Sequence, residues 1–144
     1  FRLGHKRARI VDAIAEGVPM RAEVEAAFAA PTLQDRFHQF LVGIGCNIPP
    51  EVLDRAVTEP VGPNELVQDE LLRVYRERPD VTVMLEMLTD IDEGLQEWRY
   101  RHVKLAERTI GTKIGTGGSD GVEFLKKSLF RPMFPDLWAI RARM

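Results

Sequence analysis

The chain has 144 residues, of which 44% are hydrophobic and 29% are charged, and its formal net charge is −2. This composition is typical of one folded globular domain and excludes a disordered segment, and the near-neutral charge argues against a nucleic-acid partner. No apolar run reaches the roughly 20 residues that a membrane-spanning helix needs. A single cysteine, Cys46, excludes an internal disulfide and favours a reducing cytoplasm.

Helical patterns follow one another along the first half of the chain. Thr32 precedes one of them as a predicted N-cap, and Asn64 precedes another. Proline begins a third pattern at Pro49 and Pro50, where the first turn of a helix tolerates it. Cys46 lies between apolar neighbours and is predicted to be a small buried hydrophobe. The predicted helical segments are 6–17, 20–30, 31–45, 51–57 and 65–78.

The longest predicted helix runs from Val81 to Ile110 and ends at Gly111, which suits a helix stop. One set of positions within it is spaced alternately by four and three residues, which predicts a face packed along a neighbouring helix. These positions are Met84, Leu88, Ile91, Leu95, Trp98, His102 and Leu105. No stretch shows the alternation of a strand, so residues 1–144 are predicted to form one all-α domain, a helical bundle.

His102 occupies a position in this helix where the pattern calls for an apolar residue. One interpretation is a core histidine whose ring nitrogens bind protein groups. The other is a ligand to a metal ion or to heme iron, since imidazole is the commonest metal ligand. A zinc site needs further ligands, and no Cys pair or His-x-x-x-His spacing accompanies His102. One histidine is enough for heme, and Trp98 lies one turn earlier on the same face.

A glycine-rich loop, GTGGSDG, follows this helix over residues 115–121. Ser119 stands where a phosphate-binding P-loop has lysine, and Asp120 stands where a dinucleotide fingerprint has glycine, so neither motif fits. The remaining interpretations are a simple helix connection and a loop that approaches a ligand with its backbone and the hydroxyls of Thr112, Thr116 and Ser119. Ser119 or Asp120 is predicted to cap a helix over 121–130, whose amides suit a carboxylate.

The stretch WRYRHVKLAERTIGTKIGTGGSDGVEFL, residues 98–125, is similar to the C-terminal half of the tryptophan 2,3-dioxygenases. Three other stretches add to the resemblance, which covers the chain from about Ala30 onward: APTLQDRFHQFL, IPPEVLDR and FPDLWAIR. The resemblance implies a helical bundle of the heme-dependent dioxygenase type. It also implies that the chain is the C-terminal part of a longer one.

Site residues follow from the same resemblance. His102 matches the proximal ligand of heme b iron, with Trp98 beside the ring, and no other protein ligand to the metal is implied. Thr116 matches the residue that binds the amino-acid end of the substrate, together with Gly115 and Gly117. Arg2 corresponds to an arginine for the substrate carboxylate, but about five helical residues are missing after it. Either the chain is cut there or the match of Arg2 is a coincidence, and a cut is expected. Catalytic residues on the distal side are expected upstream, and none is identified in this chain.

The implied reaction opens the indole ring of L-tryptophan with O2 and gives N-formyl-L-kynurenine. The resemblance further implies a cytoplasmic homotetramer. Two alternatives remain within the family type: a heme-dependent monooxygenase that acts on tryptophan or a related indole amino acid in secondary metabolism, and a non-catalytic helical heme-binding protein. A plain helical bundle with a core histidine is the third.

Overall fold

The computed structural model describes residues 11–14, 16–57, 59, 61–111 and 122–144. Within these ranges the secondary structure consists of helices and turns without a strand, which confirms the predicted all-α class. Two compact units divide the chain, Phe1–Glu70 and Leu71–Met144. The helices are α1 (Pro19–Ala29), α2 (Leu33–Gly43), α3 (Pro50–Leu53), α4 (Glu65–Glu77), α5 (Pro79–Ile110), α6 (Val122–Lys126) and α7 (Pro135–Ala139), followed by a 3-10 turn over Ile140–Ala142.

The predicted start and stop signals operate as expected. Thr32 accepts a hydrogen bond from the amide of Asp35 at 3.2 Å, and the Asp35 carboxylate accepts one from the amide of Thr32 at 2.6 Å, which forms a capping box. Asn64 Oδ1 accepts from the amides of Leu66 at 3.0 Å and Val67 at 3.2 Å. Helix α5 ends where Gly111 adopts a φ of 58°, a conformation that favours glycine.

Two helices are shorter than predicted. Helix α3 ends at Leu53 because Arg55 turns its guanidinium onto the carbonyls of Ala56 at 3.1 Å and Glu59 at 2.7 Å, which stabilises a turn. Helix α6 ends at Lys126, and Ser128 Oγ then donates to the Leu125 carbonyl at 2.7 Å, in competition with the helical pattern. Helix α7 was not predicted. Six of the twelve residues of the predicted segment 6–17 lie outside the described residues, and of the other six only 11 and 12 are helical.

The first unit has its core between α2 and the chain that follows it. Phe37 and Leu41 of α2 are buried, as are Cys46, Ile48 and Val67. Cys46 is a buried thiol without a disulfide, and its amide donates to the Leu41 carbonyl at 2.9 Å. The prediction that Cys46 is a small buried hydrophobe is therefore confirmed.

The second unit is organised around α5, against which α6 and α7 pack. The buried side chains of α5 are Val81, Leu85, Thr89, Asp92 and Val103, and those of the C-terminal segment include Phe134, Leu137 and Ile140. Helix α5 is 32 residues long, which corresponds to about 48 Å. Among the described residues, no helix combines the length and hydropathy that crossing a membrane requires.

Candidate functional site

His102 and Trp98 form a stacked pair on α5. They are four residues apart, which places them on the same side of the helix. Their rings are nearly parallel, with an interplanar angle of 6° and centroids 5.3 Å apart. Trp98 is 58% exposed and His102 is also exposed. The indole therefore limits rotation of the imidazole while leaving one face of the pair open.

The imidazole of His102 is not held by protein groups in the part of the chain that the structure describes, since neither ring nitrogen makes a hydrogen bond there. A core histidine would be buried and would have partners for its polar atoms. The interpretation of His102 as a satisfied core residue is therefore wrong. An exposed imidazole whose nitrogens have no partner among the described residues is able to bind an external group.

The prediction that this face of α5 packs along a neighbouring helix is also wrong for the described residues. Ile91, Trp98 and Leu105 are 52%, 58% and 62% exposed, and Met84, Leu88 and Leu95 are only partly buried. The helix buries a different face instead, which includes Leu85 and Val103. Periodicity detected an apolar face correctly but did not show that α5 has two such faces, of which the described residues of the second unit bury only one. His102 thus stands on an open apolar surface.

The other predicted site residues lie outside the described residues. These are Arg2, Gly115, Thr116 and Gly117, together with the predicted cap at Ser119 or Asp120. The structure therefore shows His102 and Trp98 together, while their position relative to the predicted substrate loop is not described.

The two helices that flank this loop in sequence are joined by an ionic cluster. Lys126 of α6 binds Glu107 of α5 at 3.1 Å and Glu123 at 2.8 Å, and Lys104 binds Glu107 at 2.8 Å. Hydrogen bonds from Lys104 and Lys126 hold the pKa of Glu107 below its usual range, and hydrogen bonds to Glu123 and Glu107 raise that of Lys126. Lys104, Lys126 and Glu123 are solvent-exposed and Glu107 is partly exposed, so each ion pair stabilises the contact only slightly.

Sequence reasoning missed two polar residues of α5 that support the site helix. Asp92 is fully buried, and Oδ2 of its carboxylate accepts hydrogen bonds from the amides of Met133 and Phe134 and from the indole of Trp138. Arg99, seven residues later, donates to the carbonyl of Arg131. The sequence signal was present in their spacing: buried Asp92 and partly exposed Arg99 follow buried Leu85 on the same side of α5 at intervals of seven residues.

A cavity of about 330 Å³ lies beside α2 and α3 in the first unit. Its lining includes Asp35, His38, Gln39 and Asp54. Asp35 is already engaged by the α2 capping box and by Arg55. None of the predicted site residues lines this cavity, so the exposed imidazole on α5 remains the candidate site.

Residues 63–144, which include α5 and the whole C-terminal segment, match the tryptophan 2,3-dioxygenase family. Whole-chain comparison agrees, with 46% identity over 142 residues to the tryptophan 2,3-dioxygenase of Herpetosiphon aurantiacus, covering 99% of this chain and 54% of that protein. The enzyme of the same name from Anaeromyxobacter sp. (strain K) is 45% identical over 142 residues, covering 99% and 53%. That from Bacillus cereus is 37% identical over 147 residues, covering 100% and 53%.

These comparisons identify the family of this helical chain, which presents an imidazole on a long helix. The chain belongs to the tryptophan 2,3-dioxygenase family, and the resemblance predicted from residues 98–125 is confirmed. It spans about half the length of the curated relatives it matches.

Proposed function

We propose that this chain supplies the heme-binding helix and the amino-acid-binding loop of a tryptophan 2,3-dioxygenase. The reaction is oxidative cleavage of the indole ring of L-tryptophan by O2 to N-formyl-L-kynurenine. The observation that carries the proposal is the exposed, stacked imidazole of His102 in a chain of this family. We propose a cytoplasmic homotetramer as its setting.

The described residues fit a heme group. The ring nitrogens of His102 have no hydrogen-bond partner among them, and no group of three or more His, Cys, Asp or Glu side chains in the described part is arranged to hold a metal ion. Such a site suits a cofactor that brings most of its own iron ligands and needs one histidine. Trp98 and Leu105 add exposed apolar surface of the kind that a porphyrin face covers. We assign heme b to this position.

The role of His102 is to bind the heme iron through a ring nitrogen, and the role of Trp98 is to hold the imidazole plane. When bound, heme supplies the iron centre at which O2 is activated. A stacked aromatic neighbour reduces the number of ring orientations available to His102, which lowers the entropy cost of ligation. Trp98 therefore orients the ring of His102 before heme binds.

The loop residues are assigned to the substrate by their match to the family pattern. Thr116 donates from its hydroxyl to the amino-acid end of L-tryptophan, and Gly115 and Gly117 allow the backbone to approach that end closely. Arg2 pairs with the substrate carboxylate. A charged amino-acid end bound in this way fixes which edge of the indole ring faces the oxygen. The support for these four assignments is sequence similarity alone.

Hemin titration of the purified chain tests the central assignment. We expect a Soret band that develops with saturable binding, and we expect His102→Ala to lose most of it. Added imidazole should restore the spectrum of the alanine variant, because it replaces the missing ligand without altering the fold. Lys104→Ala, an exposed change on the same helix, is the matched control. Equal hemin spectra for His102→Ala and the unmodified chain would remove the heme assignment.

A second titration tests the loop. L-tryptophan added to the hemin-loaded chain should perturb its absorbance, and Thr116→Ala should weaken that perturbation at an unchanged heme content. If Thr116→Ala binds L-tryptophan as tightly as the unmodified chain, the loop has no part in substrate binding.

A further inference from the structure

The stretch of α5 around His102 has an excess of positive charge. Residues 98–110 contain four basic side chains and one acidic side chain, although the whole chain has a formal net charge of −2. The basic residues are Arg99, Arg101, Lys104 and Arg108, and the acidic residue is Glu107. Basic side chains gathered on one stretch of helix repel one another unless groups of opposite charge lie nearby. This end of α5 therefore suits an anion.

Among the described residues, three of these four cations have a local source of negative charge. Arg101 pairs with Glu97, and Lys104 pairs with Glu107 at 2.8 Å. Arg108 lies in the last turn of α5, where the helix dipole favours a positive charge. These three side chains need no further partner.

Arg99 is the exception. In the described part of the chain its guanidinium has no acidic partner and donates instead to the carbonyl of Arg131, which is neutral. Arg99 is only partly exposed, so its charge has lost part of its hydration. A partly buried charge without a counter-ion is costly, and a carboxylate would relieve that cost. The guanidinium has five N–H donors in a planar fork, and the bond to Arg131 holds that fork in place.

Arg99 borders the face of α5 that carries His102. It precedes His102 by three residues, which corresponds to about 4.5 Å along the helix axis and about 60° around it. Trp98 is displaced from His102 by about 40° in the opposite sense. The stacked indole and the guanidinium therefore flank the imidazole on its two sides. A group bound to the imidazole has apolar surface on one side and a positive charge on the other.

We propose that Arg99 binds a propionate carboxylate of the heme whose iron is assigned to His102. Heme b carries two propionate groups on one edge of the porphyrin, so a single molecule presents both the metal and the anion that this part of α5 is suited to bind. An arginine fork matches a carboxylate with two parallel hydrogen bonds. Attachment at both residues fixes which edge of the porphyrin faces the C-terminal segment. The inference rests on the function proposed above and adds to it the residue that orients the cofactor.

Titration with hemin and with hemin dimethyl ester tests the assignment, because the ester keeps the iron and the porphyrin but has no carboxylate. The variants are Arg99→Gln, which removes the charge, and Arg99→Lys, which keeps the charge without the fork. Arg101→Gln is the matched control, because Arg101 lies on the opposite side of α5 from Arg99 and is paired with Glu97. The titrations contain no L-tryptophan, whose carboxylate has the same chemistry. Far-UV circular dichroism checks that each variant is helical.

Arg99→Gln should raise the hemin dissociation constant roughly 5- to 10-fold, because a charge-assisted hydrogen bond at a partly exposed site is lost. The dissociation constant for the ester should stay nearly unchanged. Arg99→Lys should weaken hemin binding less than Arg99→Gln does, and Arg101→Gln should change it little.

Equal weakening for hemin and for the ester in Arg99→Gln would show that Arg99 acts only on the fold, and it would overturn the proposal. Unchanged hemin binding in Arg99→Gln, or an equal loss in Arg101→Gln, would overturn it as well. His102→Ala is titrated in parallel. If His102→Ala binds hemin as tightly as the unmodified chain, the heme assignment itself fails, whereas a required His102 without a selective effect of Arg99 removes only the role of Arg99.

Discussion

The indole of Trp138 donates from Nε1 to Oδ2 of Asp92 at 3.0 Å, a contact between residues 46 positions apart in the chain. The same oxygen accepts from the amides of Met133 at 2.8 Å and Phe134 at 3.1 Å. Phe134 is the N-cap of α7 and has no side-chain acceptor of its own. The Asp92 carboxylate of α5 therefore holds the two backbone amides that lead into α7. One buried acid joins the site helix to the C-terminal segment.

Asp92→Ala should lower the free energy of unfolding by about 3–5 kcal/mol, because it leaves three hydrogen-bond donors without their acceptor, two of them on buried or partly buried backbone. Urea unfolding followed by tryptophan fluorescence measures the change. Asp90→Ala is the matched control on the same helix, since Asp90 is exposed. Its expected effect is within about 0.5 kcal/mol. Similar losses for the two variants would contradict the role of Asp92 in holding these three donors.

Asp35 contacts both Thr32 and Arg55, so its removal should cost more than loss of a helix cap. Its Oδ2 accepts from the amide and the hydroxyl of Thr32, and its Oδ1 pairs with the guanidinium of Arg55. The side chains of Arg55 and Asp35 are only 8% and 14% exposed. Asp35→Ala would leave the Arg55 charge buried without this partner, and we expect a loss of about 3–5 kcal/mol in the free energy of unfolding.

Thr32→Ala separates the two contributions of Asp35. It removes part of the capping box but keeps the Asp35–Arg55 pair, so the expected loss is about 1 kcal/mol. Urea unfolding of both variants gives the comparison. If Thr32→Ala costs as much as Asp35→Ala, the buried ion pair adds nothing.

Sequence patterns predicted the helices where local chemistry decides their ends. Thr32, Asn64 and Gly111 act within a few residues of their own positions, so the signals could be recognised without knowledge of the fold. Helix α7 was missed because it is only five residues long and the amides that lead into it, those of Met133 and Phe134, bind Asp92, which is more than forty residues away in the chain. A contact with a distant helix leaves no local pattern, and the local signal that α7 does carry is Pro135 in its first turn.

The candidate site could likewise be predicted only in part from the sequence. Trp98 and His102 could be paired from their spacing, and the structure adds that their rings stack. Their exposure could not be predicted, because a helix with two apolar faces has the same spacing whether one face or both are covered. The seven-residue spacing of Leu85 and Asp92 could also be recognised in the sequence, but only the structure shows that these two residues are on the buried face of α5.

Tyr75 provides a test at high pH. Burial, followed by a hydrogen bond to Glu86, raises the pKa of Tyr75 from its usual 10.0 to about 12. Between these values the unfolded chain has lost the phenolic proton while the folded chain keeps it, so the free energy of unfolding should fall as pH rises from 10.0 to about 12. Below pH 10.0 the contribution of Tyr75 is fully present.

The chain has two tyrosines, Tyr75 and Tyr100. Replacing one of them with phenylalanine leaves a single tyrosine, so its titration can be assigned directly. In Tyr100→Phe, the tyrosinate absorbance should develop with a midpoint near 12, and in Tyr75→Phe this late step should be absent. The fall in stability over the same range should be smaller in Tyr75→Phe. A midpoint near the usual value in Tyr100→Phe would contradict the proposed burial and hydrogen bond.

Trp98 is predicted to strengthen heme ligation by holding the His102 ring. Trp98→Ala removes an aromatic contact worth about 0.5–1.5 kcal/mol, so the hemin dissociation constant should rise roughly 2- to 12-fold. Trp98→Phe keeps an aromatic face and should lose less. Tyr100→Ala is the matched control, because Tyr100 is 53% exposed but lies on the opposite side of α5. Hemin titration monitored at the Soret band measures all three variants. An unchanged dissociation constant in Trp98→Ala, with His102 still required for binding, would show that the stack does not contribute to ligation.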